Sequence, residues 1–422
     1  MPHFIYTLLL YLALPFVPLK LFWRGFKQPE YRLHWGERFG FYAAKSSKSI
    51  IWLHCVSVGE TRAAAPLVNM LLAKYPDHRI LITNTTPTGR AASYQLFQNT
   101  VLHAYLPYDV PFAVKRFLKH FKPQIGLLME TELWFNLMAL CNRNSIPLML
   151  INARLSEKSA KGYAKLGRLA KNGLGKLTLV AAQTTEDENR LRILGAANTT
   201  VIGNLKFDVT VPENCQAQGA ELRQLIDNGR PIFLAASTRE GEEQMILDAI
   251  SGIDLLTIIV PRHPQRFEEI ENLLKTLNIN YILRTHITKP INSKIQVVLG
   301  NTMGELFTYY AACDFTFVGG SLKKFGGQNL IEAASLGKPI LIGKYTHNFA
   351  AVSAGAIKSG AATQVKDIEN LRDKVLYLIS HPEKQEQMSV AALNFSKAKT
   401  GATLQVLEYM APYLAKTNEL SD

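Results

Sequence analysis

The chain has 422 residues, 47% hydrophobic and 19% charged, with net charge +13 and a pI near 9.4. This excludes a disordered chain, and the length predicts two domains rather than one core. The positive balance favours an anionic partner, but no zinc spacing or RNA-recognition signature supports nucleic acid, which is therefore not an expected partner.

Phe4 to Leu19 carries no charge. It is about 16 residues long, somewhat short of the ~20 needed to span a bilayer. Pro15 and Pro18 would kink its far end. Lys20, Arg24, Lys27, Arg32 and Arg38 follow. A cleaved signal peptide would have its charges before the apolar run and a small-residue cleavage site after it, and neither is seen. Residues 1–24 are expected to form a membrane anchor, spanning or lying in the bilayer, with the domain behind it on the cytoplasmic side. The four cysteines, Cys55, Cys141, Cys215 and Cys313, form no C-x-x-C pair and read as reduced thiols.

After Trp35-Gly-Glu-Arg-Phe39, apolar runs alternate with helical patterns. Ile50–His54, Arg79–Asn84, 101–105, 124–129, 147–152, 177–182 and 200–202 read as strands. Helices are expected over 60–74, 88–97, 110–121, 132–142, 157–172 and 186–194. The series predicts a parallel sheet covered on both faces. The stretch 54–60, HCVSVGE, places Glu60 where a strand ends and a helix begins. There it either complements the helix dipole or serves as a general base at the mouth of a cleft. Glu130 ends another apolar strand, where an ionised carboxylate is costly unless paired or used.

Residues 203–208, GNLKFD, close this series, and the polar stretch 209–230 reads as a linker. Strands are then expected at 231–236, 255–260, Tyr281–Leu283, 296–299, Phe315–Val318 and 339–342, with helices between them. Ser237-Thr-Arg239, Pro261-Arg262, the run Met303, Gly304, Glu305, and the glycine turns 319–320 and 326–327 would place polar groups and backbone N–H donors near a phosphate. Glu332, three residues past Asn329, would share its face and reach ribose hydroxyls. Neither a P-loop nor a Gly-x-Gly-x-x-Gly is present, so ATP and NAD lack their motifs. Two such domains make an inter-domain cleft the expected ligand site.

Seven motifs carry a family resemblance: HCVSVGE (54–60), METELW (129–134), NARLS (152–156), GNLKFD (203–208), PRHPQRF (261–267), NTMGEL (301–306) and FVGGSL…GGQNLIEAASLGKPILIG (317–343). In this order the chain resembles the 3-deoxy-D-manno-octulosonic acid (Kdo) transferases of lipopolysaccharide synthesis. The resemblance implies a GT-B fold of two Rossmann-like α/β domains. Residues 25–208 would form the acceptor domain and 231–400 the CMP-Kdo domain. Residues 401–422 would form a C-terminal helix, with return to the first domain one option. It implies inverting transfer of Kdo from CMP-Kdo to a lipid A precursor at the cell inner membrane, with no metal or other cofactor in the step. Glu60 would be the general base, and Glu130 and Lys206 would support the transition state. Pro261, Arg262, Met303, Gly304, Glu305, Asn329, Leu330, Ile331 and Glu332 would hold CMP. GGQN at 326–329 departs from the more usual GGHN, which removes any role for a histidine at Gln328. Two other readings are another nucleotide-sugar enzyme such as an epimerase, and a non-catalytic membrane adaptor or nucleic-acid binder.

Overall fold

The computed structural model describes residues 1–43, 46–398 and 400–415. The chain divides into two compact units, Met1–Asp208 with Thr400–Asp422, and Val209–Lys399.

The first unit is built on a seven-stranded sheet: β1 Ile50–His54, β2 Arg79–Asn84, β3 Leu102–Tyr105, β4 Pro123–Met129, β5 Leu148–Ala153, β6 Leu179–Ala182 and β7 Thr199–Val201. Its order is β3-β2-β1-β4-β5-β6-β7, and every pairing is parallel. The central strands are buried on both faces, which is why they read as unbroken apolar runs. Side chains alternate between two core layers. Trp52 and Phe117 lie in one; Ile51, Leu53 and Leu67 lie in the other. Gly126 pairs with Trp52 across β1 and β4. A Cβ there would come within 2.6 Å of the indole, so only glycine fits.

The order reverses between β1 and β4, and ligands of open parallel sheets gather at the carboxyl ends of strands flanking such a switch. Glu60 follows β1 and Glu130 follows β4, so the topology alone brings these two carboxylates to one place.

Two expected helices prove to be broken. The stretch 60–74 divides into Val58–Ala63 and Ala65–Lys74, because Pro66 has no N–H to continue the first helix. The stretch 157–172 divides into Glu157–Ala164 and Arg168–Leu174, with Gly167 at φ +54° between them.

The amino-terminal run also forms two helices, His3–Ala13 and Phe16–Lys27, bent by 53°. No single described helix is long and apolar enough to cross a membrane. The first helix is hydrogen-bonded to the unit. The Tyr6 hydroxyl donates to Asp109 at 2.7 Å, and the Thr7 hydroxyl donates to Asn136 at 2.9 Å. Asp109 is buried and also accepts from the backbone N–H groups of Asn136 and Leu137, so it caps the helix Phe135–Arg143 while holding Tyr6.

The second unit contains β8 Ile232–Thr238, β9 Leu256–Pro261, β10 Tyr281–Leu283, β11 Val297–Leu299, β12 Phe315–Val318, β13 Ile340–Ile342 and β14 Ala362–Gln364. Their order is β10-β11-β9-β8-β12-β13-β14, again all parallel. The switch falls between β8 and β12. The short, partly exposed β14 is a strand that the sequence reading lacked.

The expected linker 209–230 is corrected by the structure. It contains the helix Cys215–Ile226, which buries Cys215, Gly219, Leu222 and Ile226. Arg223 bonds Asp314 at 2.8 Å, and Gly219 packs so closely on Ala311 that a Cβ would lie 2.2 Å from it. The apolar stripe recurs every three or four residues, but polar neighbours mask it in the composition. The chain leaves the first unit at Asp208, whose carboxylate accepts from the N–H groups of Gly401 and Thr403. The helix Ala402–Leu414 thus belongs to the first unit, with Val406, Leu407 and Met410 in its core; residues 416–422 lie outside the described residues.

Candidate active site

Glu60 sits in the first turn of Val58–Ala63, one tight loop beyond β1. Ser57 caps this helix, and the Glu60 carboxylate reaches back over the cap. Val56 N–H donates to one oxygen at 2.6 Å, and the Ser57 hydroxyl donates to the other at 3.1 Å. This resembles a capping box, except that the carboxylate takes the N–H of Val56, one residue before the cap, and its place in the first turn also suits the helix dipole. Neither accounts for the burial. Glu60 is 9% exposed, and desolvation raises its pKa to about 7, with the Val56 N–H opposing and Glu130 adding to the rise. A carboxylate that titrates near neutral pH is well matched to general-base work.

The loop around it is pinned from beneath. Asn84 donates to the Cys55 carbonyl, and Thr86 donates to the Val56 carbonyl. His54, the last residue of β1, is fully buried and bonds through Nδ1 to Thr83. Burial depresses its pKa to about 3, so this imidazole is neutral and structural.

Glu130 occupies a left-handed backbone conformation, φ +58°, which a side chain other than glycine, asparagine or aspartate seldom takes. Its carboxylate lies 2.8 Å from Arg154 Nε and 3.8 Å from Lys206 Nζ. Lys206 lies in the short turn Leu205–Phe207. Asn152, also at positive φ, accepts from the Leu205 N–H and so ties that turn to β5. Glu60, Glu130 and Lys206 are therefore brought together in one unit.

Two partners, Arg154 and Glu132, lay in loops that the sequence placed near Glu60 but were given no role there. Glu132 accepts from the Trp134 indole N–H at 2.8 Å, and its pKa rises to about 7, first by burial and then by the charge of Glu60. The signal available was METELW, with two carboxylates two residues apart at a strand end.

In the second unit, Arg262 follows β9, and its backbone N–H donates to the Thr238 carbonyl at 3.0 Å. Burial lowers the pKa of its guanidinium, and Glu332 opposes that shift, so the two charges are neighbours. Asn329 donates to Glu332 at 3.2 Å. Arg262, Asn329 and Glu332 thus form one polar cluster. Leu330 and Ile331 are 0% exposed, so any ligand there must meet their backbone. Glu305 is held by Arg284 at 2.9 Å and by the Thr302 hydroxyl. Beside it, Met303 is exposed, and Gly304, at φ +86°, has open space around it.

The expectation that the first glycine turn offers N–H donors to a phosphate is corrected. The amides of Gly320, Ser321 and Leu322, together with that of Arg239, all donate to the buried carboxylate of Glu242. The amides of Gly327 and Gln328 bond the Gly320 and Gly319 carbonyls. These turns are closed inward, and the open cationic group near Glu332 is Arg262. Among the described residues, no group of three or more His, Cys, Asp or Glu is arranged to hold a metal.

Comparison with known proteins fits this geometry. Residues 33–209 match the family model for 3-deoxy-D-manno-octulosonic-acid transferase (kdotransferase), and residues 283–395 match that for glycosyl transferases group 1. A 3-deoxy-D-manno-octulosonic acid transferase from Bordetella pertussis is 39% identical, covering 97% of this chain and 99% of its own. One from Haemophilus influenzae is 34% identical, covering 98% and 99%. A solved UDP-GlcNAc 2-epimerase from Neisseria meningitidis has a TM-score of 0.54, covering 86% of this chain and 100% of its own, at 17% identity. At that identity the likeness extends to the fold alone, so it lends the epimerase reading no weight. The chain belongs to the 3-deoxy-D-manno-octulosonic acid transferase family and is a glycosyltransferase.

Proposed function

We propose that this glycosyltransferase moves Kdo from CMP-Kdo to a hydroxyl of a lipid A precursor, with inversion, and that Glu60 is the general base. The observation that carries the base assignment is the placement of a buried carboxylate of raised pKa at the switch point of the first sheet. The acceptor hydroxyl gives its proton to Glu60 as its oxygen bonds the anomeric carbon of Kdo. The bond from that carbon to the CMP phosphate oxygen breaks in the same displacement, and CMP leaves as an anion. The base is worth roughly 10²–10⁴-fold in rate.

Lys206 and Arg154, paired with Glu130, supply positive charge suited to the Kdo carboxylate beside the reacting carbon. Arg262 supplies charge for the cytidylate, and Asn329 and Glu332 supply partners for ribose hydroxyls. GT-B architecture fits two units that each carry a Rossmann-like parallel sheet.

We also assign the amino-terminal helix pair to the cytoplasmic face of the inner membrane, lying in the interface. Its support is the outward display of Leu8, Leu9, Leu12, Phe16, Leu19, Trp23 and Phe26, combined with the bend and with the hydrogen bonds that hold Tyr6 and Thr7 to the unit.

Mass spectrometry of products formed by the purified chain from CMP-Kdo and a lipid A precursor tests the substrate assignment. A product heavier by one or more Kdo residues is expected. Absence of any adduct, with CMP-Kdo shown to bind, would sink the acceptor assignment.

A further inference from the structure

The helices Pro111–Phe121 and Phe135–Arg143 flank a groove of about 600 Å³ in the first unit. Lys115, Lys119, Lys122 and Arg143 stand along it, over a floor that includes Leu118 and Leu140. Neither helix contains an aspartate or a glutamate. Among the described residues, none of these four cations forms an ion pair with a carboxylate. Cations in the last turn of a helix answer the helix dipole. That explanation serves for Lys119 and Arg143, but not for Lys115, which lies in mid-helix, nor for the cavity.

The groove lies away from the chemistry. Lys122 and Pro123 open β4, whereas Glu130 follows its other end. Strand β4 has seven residues, so the two lie roughly 20 Å apart along it.

The groove and the first amino-terminal helix share these two helices, the groove at their carboxyl ends and the amino-terminal helix at their starts. Phe112, Lys115 and Lys119 recur at helical spacing and form one stripe, with Lys122 just past the helix end. At the head of that stripe, Phe112 stacks on Tyr11 with ring centroids 6.2 Å apart. On the facing helix, Asn136, Leu140 and Arg143 form the matching stripe, headed by the bond from Thr7 to Asn136. From Phe112 to Lys122 is about 15 Å at the rise of an α-helix. The cations of the groove thus lie within one helix length of the amino-terminal helix that the membrane reading places at the bilayer.

We propose that this groove binds the headgroup phosphate of an anionic glycerophospholipid, so that the enzyme holds the bilayer by an apolar helix pair and a separate cationic slot. The apolar floor accepts the glycerol and upper acyl carbons, and the four cations surround the phosphate. The proposal extends the membrane reading above but does not depend on the sugar chemistry.

The test is co-sedimentation of the full chain with vesicles of phosphatidylcholine alone and of equimolar phosphatidylcholine and phosphatidylglycerol. The triple variant Lys115→Gln, Lys119→Gln, Lys122→Gln should bind the mixed vesicles about 100-fold more weakly than the unaltered chain. It should bind phosphatidylcholine vesicles equally well and retain transfer to a detergent-dispersed acceptor. The matching triple Lys→Arg variant should keep its binding, which separates lost charge from lost folding. Undiminished binding of the triple Gln variant to mixed vesicles would overturn the proposal. Release of the unaltered chain from mixed vesicles by millimolar glycerol 3-phosphate would overturn it too, since the groove would then be a site for a free phosphate ester. Phosphatidylcholine binding reports on the helix pair and the anionic increment on the groove, so the two readings fail separately.

Discussion

The two sheets turn over at equivalent places, yet they use a carboxylate there in opposite ways. In the first unit, Glu60 follows the switch strand β1, meets two donors and keeps a small exposed surface. In the second, Glu242 lies in the helix that follows β8, is 0% exposed and accepts from four backbone amides. Both carboxylates are desolvated, and burial raises the pKa of each. Donors and access distinguish their roles. Four amides fix Glu242 as the internal strut of the turn 319–322, whereas Glu60 meets two donors and keeps part of its surface exposed. Equivalent topology thus gives a partly exposed carboxylate in one unit, which the proposed mechanism uses as the base, and a rigid loop in the other.

This comparison is broken most sharply at Glu60. Glu60→Gln keeps an oxygen for the Val56 N–H but cannot take a proton. Its kcat is expected to fall by about 10³-fold, with the KM for CMP-Kdo little changed. Near-normal turnover in steady-state assays would remove the base assignment. Replacement of the strut should do the reverse. Glu242→Ala leaves four buried N–H groups without their acceptor and should destabilise the fold by about 4 kcal/mol. Urea unfolding reads this directly, and an unchanged midpoint would show that the strut is dispensable.

A smaller effect is expected at the polar cluster of the second unit. Arg262→Ala should raise the KM for CMP-Kdo by roughly 10- to 100-fold, the value of a charge-assisted contact, with a lesser change in kcat. An unchanged KM would place the cytidylate elsewhere. The smallest effect sharpens the account of Glu60. Glu132→Gln removes a negative neighbour, which favours ionised Glu60. The acidic limb of the pH–rate profile should therefore move to lower pH, by about half a unit. Movement to higher pH would mean that Glu132 does not act on Glu60 through its charge.

Much of this was legible in the residues, for a physical reason. Strands of a doubly covered parallel sheet are apolar on both faces, so Ile50–His54, Arg79–Asn84 and Phe315–Val318 are visible as runs. Strand β14, Ala-Thr-Gln, is too short and too exposed to show such a run. The helix Cys215–Ile226 was hidden because its apolar stripe is narrow and sits among Gln, Glu and Arg. Glu60 and Glu130 stood out because each carboxylate lies at or just beyond the end of an apolar strand. The inward use of the first glycine turn could not be read, because Glu242 and Gly320 are 78 positions apart and only the fold brings them together. The role of Glu132 depends likewise on burial and on the Trp134 indole.

The central claim is that buried Glu60 accepts the proton, and the pH dependence of kcat/KM tests it most directly. A group with its pKa raised to about 7 is active only when ionised, so kcat/KM should rise with pH and level off above that value. The residual rate of Glu60→Gln should lack this limb. A profile flat from pH 5.5 to 8 in the unaltered enzyme, or the same limb surviving in the variant, would contradict the assignment.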